Sequence, residues 1–249
     1  WSLQGPYSDG GGYENEVAAT AMALLALQGN GQTHKSGKYQ RNVQRAADAL
    51  VKMQDADGNF FREGAYNHHL YSQAQATIAM CELYGMTKDP RYRQAAQKAL
   101  DYASKAQSSL GGWRYVPRED SDTSVTGWFV MALQSGLMAG LTVQSPTLDG
   151  ITKYLDSATP DGSVYSYQAR GEPTLSMTAE ALLCRQYLGW QHDDPRLRTG
   201  VDYLLQNPIN YDEQDLYYWY YATQVLHHMG GKDWDAWNKV MRQAVPEHQ

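Results

Sequence analysis

The chain has few cysteines, few phenylalanines, no excess of positive charge and no long hydrophobic run. Two cysteines, Cys81 and Cys184, occur in 249 residues, and neither belongs to a Cys-x-x-Cys pair. A disulfide framework or a cysteine-rich metal knuckle is thereby excluded. Both lie among apolar neighbours late in helical stretches, so both are expected as buried free thiols, with a single disulfide or a metal pair as the alternative. Lys and Arg number 21 against 27 Asp and Glu, for a net charge of −6, and no stretch is strongly basic. A nucleic-acid backbone is not the expected partner. The longest apolar runs, such as Ala18 to Leu27, are far shorter than a membrane span, so no transmembrane segment is expected. No strand-period segment is long enough to build a sheet. Only 3 Phe accompany 19 Tyr and 7 Trp. Tyr and Trp pair an apolar body with a polar end, which suits a wet, aromatic-lined cavity or an interaction face.

What is present is a repeat. Five times, an Ala- and Leu-rich helical stretch is followed by a more polar one, with a period of roughly 45 to 55 residues, long enough for two helices and two loops. Turns beside these pairs carry Gly next to an aromatic or aliphatic residue: Asp57-Gly58-Asn59-Phe60, Gly111-Gly112-Trp113-Arg114-Tyr115, Asp161-Gly162-Ser163-Val164-Tyr165 and a degenerate Gly10-Gly11-Gly12-Tyr13. The first helix of each pair is expected at Glu14 to Leu27, His69 to Tyr84, Asp122 to Leu137, Pro173 to Leu188 and Asp215 to Met229. These are apolar on nearly every side, as for helices packed all round. The second helices are amphipathic: Tyr39 to Gln54, Pro90 to Gln107, Pro146 to Asp156, Pro195 to Gln206 and Trp234 to Val245. Pro90, Pro146 and Pro195 mark helix starts. Gly85, Gly136, Gly189 and Gly230 are expected to end the first helices.

An all-round apolar helix followed by an amphipathic one, repeated, means two concentric layers. The fold expected is an all-α, α/α toroid of about five helical hairpins, closed or nearly closed, with an open α-solenoid as the rival. Residues 1–249 are read as one toroid domain. Trp1 opens in mid-motif, so the domain is expected to be excised from a longer protein whose other domains are partners. Its compartment is not readable.

The Gly111-Gly112-Trp113-Arg114-Tyr115 turn and the following Thr126-Gly127-Trp128-Phe129-Val130-Met131-Ala132-Leu133 resemble the repeats of squalene–hopene cyclases and protein prenyltransferase β subunits. In those families a Gly-Gly-Trp turn precedes a helix with a Thr-Ala-Trp-type start and an Ala-Leu end. The likeness runs in pattern along the chain and is closest in the middle repeat. It implies an α/α toroid. Ser176-Met177-Thr178-Ala179 and Asp215-Leu216-Tyr217-Tyr218-Trp219-Tyr220-Tyr221 resemble bacterial repeat proteins of this superfamily whose substrates are not established.

The catalytic signatures of those families are incomplete. Squalene–hopene cyclases protonate substrate with the central Asp of an Asp-x-Asp-Asp-Thr-Ala motif, chemistry that needs a neutral carboxylic acid in a dry pocket. The corresponding stretch is Glu119-Asp120-Ser121-Asp122-Thr123-Ser124-Val125-Thr126. Anchored on Ala132-Leu133, Asp122 takes the first acidic position and Ser124 the central one. Prenyltransferases hold zinc with an Asp-x-Cys pair and a later His. Tyr218 replaces that His, and Thr174 to Thr178 supply neither Asp nor Cys. His227 and His228 splay about 100° apart on a helix and do not chelate together. No metal and no cofactor is expected. The Cys-Gly-Glu-Gln segment of complement-type thioester domains is absent.

Aligned on their ends, the inner helices place Asp122 level with Glu16 and Tyr71, with Asp215 within a residue. An acidic and aromatic ring at one mouth is expected, which would favour a cation or a polar head group, although acids at helix starts also serve as caps. Asp122 and Asp120 are the candidate catalytic acids. Glu16, His69, Tyr71, Trp113, Trp128, Asp215, Tyr218 and Trp219 are the candidate ligand-binding residues. The function expected is binding of an isoprenoid-like or other apolar molecule in an aromatic-lined central cavity. The alternatives are a non-catalytic protein-interaction module and a carbohydrate-active α/α barrel with paired carboxylates.

Overall fold

A computed structural model describes residues 1–5, 14–62 and 64–248. The Gly10 to Tyr13 turn lies outside the described residues. Among those described there are ten α-helices and no strand, only isolated bridges pairing Trp113 with Asp122 and Ser166 with Pro173. The inner helices are α1 (Glu16–Gly29), α3 (His69–Thr87), α5 (Thr123–Met138), α7 (Leu175–Tyr187) and α9 (Leu216–Met229). The outer ones are α2 (Gln40–Met53), α4 (Pro90–Ala106), α6 (Ser145–Ser157), α8 (Pro195–Leu205) and α10 (Gly231–Glu247). The fold is an α/α toroid. Each inner helix packs on the next inner helix and on its own outer partner. The first and last inner helices, α1 and α9, make at most marginal contact, so the inner row is a ring with one seam.

Three successive turns drive aromatic wedges between the layers. Phe60, Trp113 and Tyr165 are fully buried. Trp113 stacks on Phe129 with ring centroids 4.7 Å apart, and its indole N–H donates to the Ala103 carbonyl at 2.9 Å. Gly58 and Gly111 precede two of these wedges with φ of +98° and +96°, and a Cβ on either would stand 2.1 Å from a carbonyl oxygen of the next outer helix. Glycine satisfies both demands, the left-handed φ and the close backbone approach. Gln54 and Gln107 add a tie that the sequence reading missed. Their side-chain amides donate to Ala95 O and Thr147 O, each at 2.9 Å, and so join consecutive outer helices. The available signal was a Gln standing four residues before each of these glycines.

Two expected helix ends need correction. Gly85 and Gly136 lie inside α3 and α5, which run on to Thr87 and Met138. A Cβ on Gly136 would meet Leu100 at 2.6 Å, and one on Gly85 would meet Ala139 at 3.4 Å. These glycines permit close helix packing. The end of α3 is made by Lys88 in the left-handed region, at φ 49°. Gly189 and Gly230 do sit at helix ends with positive φ. Both cysteines are buried and free.

Candidate functional site

The wedges fix the register of the inner helices. Thirteen residues after each wedge, an inner-helix side chain accepts its backbone N–H: Gln73 from Phe60 at 2.7 Å, Thr126 from Trp113 at 3.1 Å and Thr178 from Tyr165 at 3.0 Å. His69, Asp122 and Thr174 are therefore level, four residues earlier. The caps agree: Asn15, Asp122, Thr174 and Asp215 each accept an N–H of the first turn of α1, α5, α7 and α9. The level inferred from helix ends is thus corrected. Asp122 matches Asn15 and His69, not Glu16 and Tyr71, because Gly85 and Gly136 do not mark ends.

The N-terminal mouth of the ring is closed by hydrogen bonds. Tyr71 and Ser124 share one at 2.8 Å, Ser124 and Tyr217 share one at 2.6 Å, and the Tyr217 hydroxyl donates to Glu180 Oε2 at 2.9 Å. Glu180 is fully buried, and its Oε1 has no hydrogen-bond partner. Burial raises its pKa well above the ordinary value, with Asp122 adding to the rise and Tyr217 and Tyr221 opposing it. Burial thus favours the neutral form of the carboxyl. This group was missed from sequence, although a Glu in an all-round apolar helix was a visible signal.

Asp122 is also fully buried. Its Oδ1 accepts the Val125 N–H at 2.7 Å, its Oδ2 accepts the Tyr167 hydroxyl at 2.8 Å, and Arg114 Nε stands 3.4 Å away. Desolvation pushes its pKa up to about 6, against the Val125 N–H, Tyr167 and Arg114. Asp120 pairs with Arg114 at 2.7 Å and accepts from Gln168 at 3.1 Å. Desolvation would raise its pKa, but the Ser121 N–H and Arg114 overcome that and hold it below the ordinary value.

The remaining candidates are dispersed. Glu16 is exposed. His69 stacks on Phe61 at 4.6 Å and meets Asn59 and Tyr102, each at 3.2 Å, and burial lowers its pKa. Trp113 is a wedge between the layers. Tyr218 donates to Leu204 O and Asn207 O and meets Trp237 edge-on, on the outer-layer side. Asp215 caps α9 and accepts from Ser176, and Trp219 packs on Tyr211 at 4.8 Å. Asp215, Tyr218 and Trp219 border an open groove beside α9 that Asn207 and Ile209 also line. Among the described residues, no three His, Cys, Asp or Glu side chains are grouped to hold a metal.

Trp128 leads to the central void. It stands one turn beyond Ser124 on α5, in the wall of a cup of about 430 Å³ that reaches toward the C-terminal ends and is lined by residues of all five inner helices. Leu25, Ile78, Met131 and Tyr187 join Trp128 in its wall, with Gln28, Glu82, Gln134 and Ser135 as polar members. Across the seam, α9 supplies Tyr220, Gln224 and His228. Met138, 75% exposed, forms part of the rim. Desolvation, with help from His227 and His192, lowers the His228 pKa, so that imidazole is neutral at pH 7. The toroid is thus plugged with polar side chains at its N-terminal mouth and hollow at its C-terminal one.

No family model matches the chain. Over 164 residues it is 30% identical to a drimenyl diphosphate synthase of Streptomyces showdoensis, a match that covers 65% of this chain and 29% of that protein. The chain therefore spans under a third of the synthase's length. Among solved structures it resembles a polysaccharide lyase with a TM-score of 0.54 and 15% identity, over 80% of this chain and 63% of that one. This second likeness shows the fold alone. Both are compatible with the toroid superfamily that the Gly111-Gly112-Trp113 turn and its following helix resemble.

Proposed function

We propose that this toroid binds an apolar, isoprenoid-like small molecule in the cup at the C-terminal ends of its inner helices. The observation that carries the reading is the void itself. At about 430 Å³ it falls within the range of roughly 300 to 1,000 Å³ typical of small-molecule sites. Its walls are mainly aliphatic and aromatic, with a few polar groups to orient a ligand. The similarity to a drimenyl diphosphate synthase favours a terpene-sized ligand. Asp122 and Asp120 stand at the far mouth with their oxygens engaged by Val125, Tyr167, Arg114 and Gln168. We read them as anchors of that mouth, and the function as binding without turnover. We also read the ten helices as one domain.

Native mass spectrometry of the chain with a squalene and polyprenol panel tests the reading. A retained apolar adduct that Trp128→Ala abolishes supports it. A clean apo mass across the panel defeats it and favours a protein partner on the exposed rim around Met138, Leu137 and Met86.

A further inference from the structure

The cup has a sign as well as a size. Among the described residues that line it there is a carboxylate, Glu82, and no Lys or Arg. Glu82 is oriented by Ser135, whose hydroxyl donates to its Oε1 at 2.7 Å. Gln28 is buried, only 6% exposed, and its amide nitrogen is spent on the Ala79 carbonyl at 2.9 Å. Its Oε1 is buried in the cup wall with no partner, as is the Gln224 amide nitrogen on the α9 side. An unpaired buried acceptor costs free energy until something donates to it or lends it positive charge.

Helix direction adds to this. The cup lies toward the C-terminal ends of the inner helices, where each helix carries the negative end of its dipole. Trp128, Tyr187 and Tyr220 line the cup, and aromatic rings attract cations most strongly where water is excluded. His228 does not reverse the balance, because burial, His227 and His192 keep it neutral at pH 7. A diphosphate in this cup would meet Glu82 and several helix C-termini with no cation to pair with. An ammonium group would meet a carboxylate and a wall rich in aromatic side chains.

We propose that the cup selects an organic cation carried on an apolar body, a tertiary or quaternary ammonium on a terpene-sized chain. This rests on the cup being the ligand site. It goes further by naming the head group the cup accepts and the one it refuses.

Three probes of one chain length separate the possibilities: farnesol, N,N-dimethylfarnesylamine and farnesyl diphosphate. They are titrated calorimetrically into the full chain at pH 7, below their aggregation concentrations. The amine is expected to bind about tenfold more tightly than the alcohol, and the diphosphate not to bind. Glu82→Gln is expected to remove most of the amine's advantage and to leave the alcohol unchanged. Binding of the diphosphate as tightly as the amine, or an advantage that survives Glu82→Gln, overturns the proposal while the cup stands. Failure of all three probes overturns the cup reading and this one with it.

Discussion

Gly127 and Glu180 share one space: a Cβ on Gly127 would stand 2.1 Å from Glu180 Oε1. The missing side chain on α5 is the room into which the buried carboxyl of α7 fits. Gly127→Ala gains about 1 kcal/mol of helix propensity. Overpacking of this kind costs about 1 to 3 kcal/mol, and the wholly buried carboxyl is tied through its Oε2 to the Tyr217 hydroxyl. The variant is therefore expected to be less stable by up to about 2 kcal/mol in urea unfolding. In a Glu180→Ala background the same change should cost nothing or stabilise, since the clash is gone. An equal cost in both backgrounds would show that the two residues do not compete.

Asp122 gives a pH signature. Its folded pKa, about 6, lies above the ordinary 3.8. Below pH 3.8 the group is protonated in both states and adds no pH dependence. Between those values the folded state binds the extra proton, so stability falls as pH rises, by about 1.4 kcal/mol per unit. The loss totals about 3 kcal/mol and is complete above pH 6. Asp122→Asn keeps a capping oxygen and removes the titration. The stability difference between wild type and variant, from urea unfolding between pH 4 and 7, should shift by about 3 kcal/mol in favour of the variant. A flat difference would place the Asp122 carboxyl in an ordinary, solvated state.

Two tryptophans fifteen residues apart in sequence do different work. Trp113 is wholly enclosed between the layers, stacked on Phe129. Trp113→Ala is expected to cost about 3 to 5 kcal/mol of folding free energy. Trp128 is half-buried in the cup wall. Trp128→Ala is expected to cost about 2 kcal/mol or less and to lose the ligand. Parallel melting curves and binding titrations check the division. Equal destabilisation by both would mean that Trp128 is packed as wedge and not as wall.

Much of the architecture was legible in the sequence, because several helix boundaries have a local chemical cause. Pro90 and Pro195 stand at the first position of their helices, behind the caps Asp89 and Asp194. All-round apolar helices and amphipathic ones announce an inner and an outer layer by periodicity alone. Gly85 and Gly136 misled because a glycine that ends a helix and one that lets Leu100 or Ala139 approach look alike in a single sequence. That error moved the level of Asp122 by one residue against α1 and by two against α3. The resemblance to cyclase repeats points to helix N-termini, where those families carry their acids. Which end of a ring is hollow depends on summed side-chain volume from five helices distant in sequence, and no local pattern carries that sum. The hydroxyls of Tyr71 and Tyr217 meet through Ser124 and fill one end. The other end is left to Trp128, Met131 and Tyr187 around a void.

The most direct measurement is where a ligand touches. A diazirine-bearing farnesyl probe, photolysed with the full chain and mapped by peptide mass spectrometry, reports that position without assuming any reaction. The account predicts labels on the cup-facing residues of α5, at Trp128, Met131 and Met138, and on Leu25 of α1, all suppressed by excess unlabelled ligand. Labels concentrated at Tyr71, Tyr115 or Asp120 would place the site at the opposite mouth and contradict it.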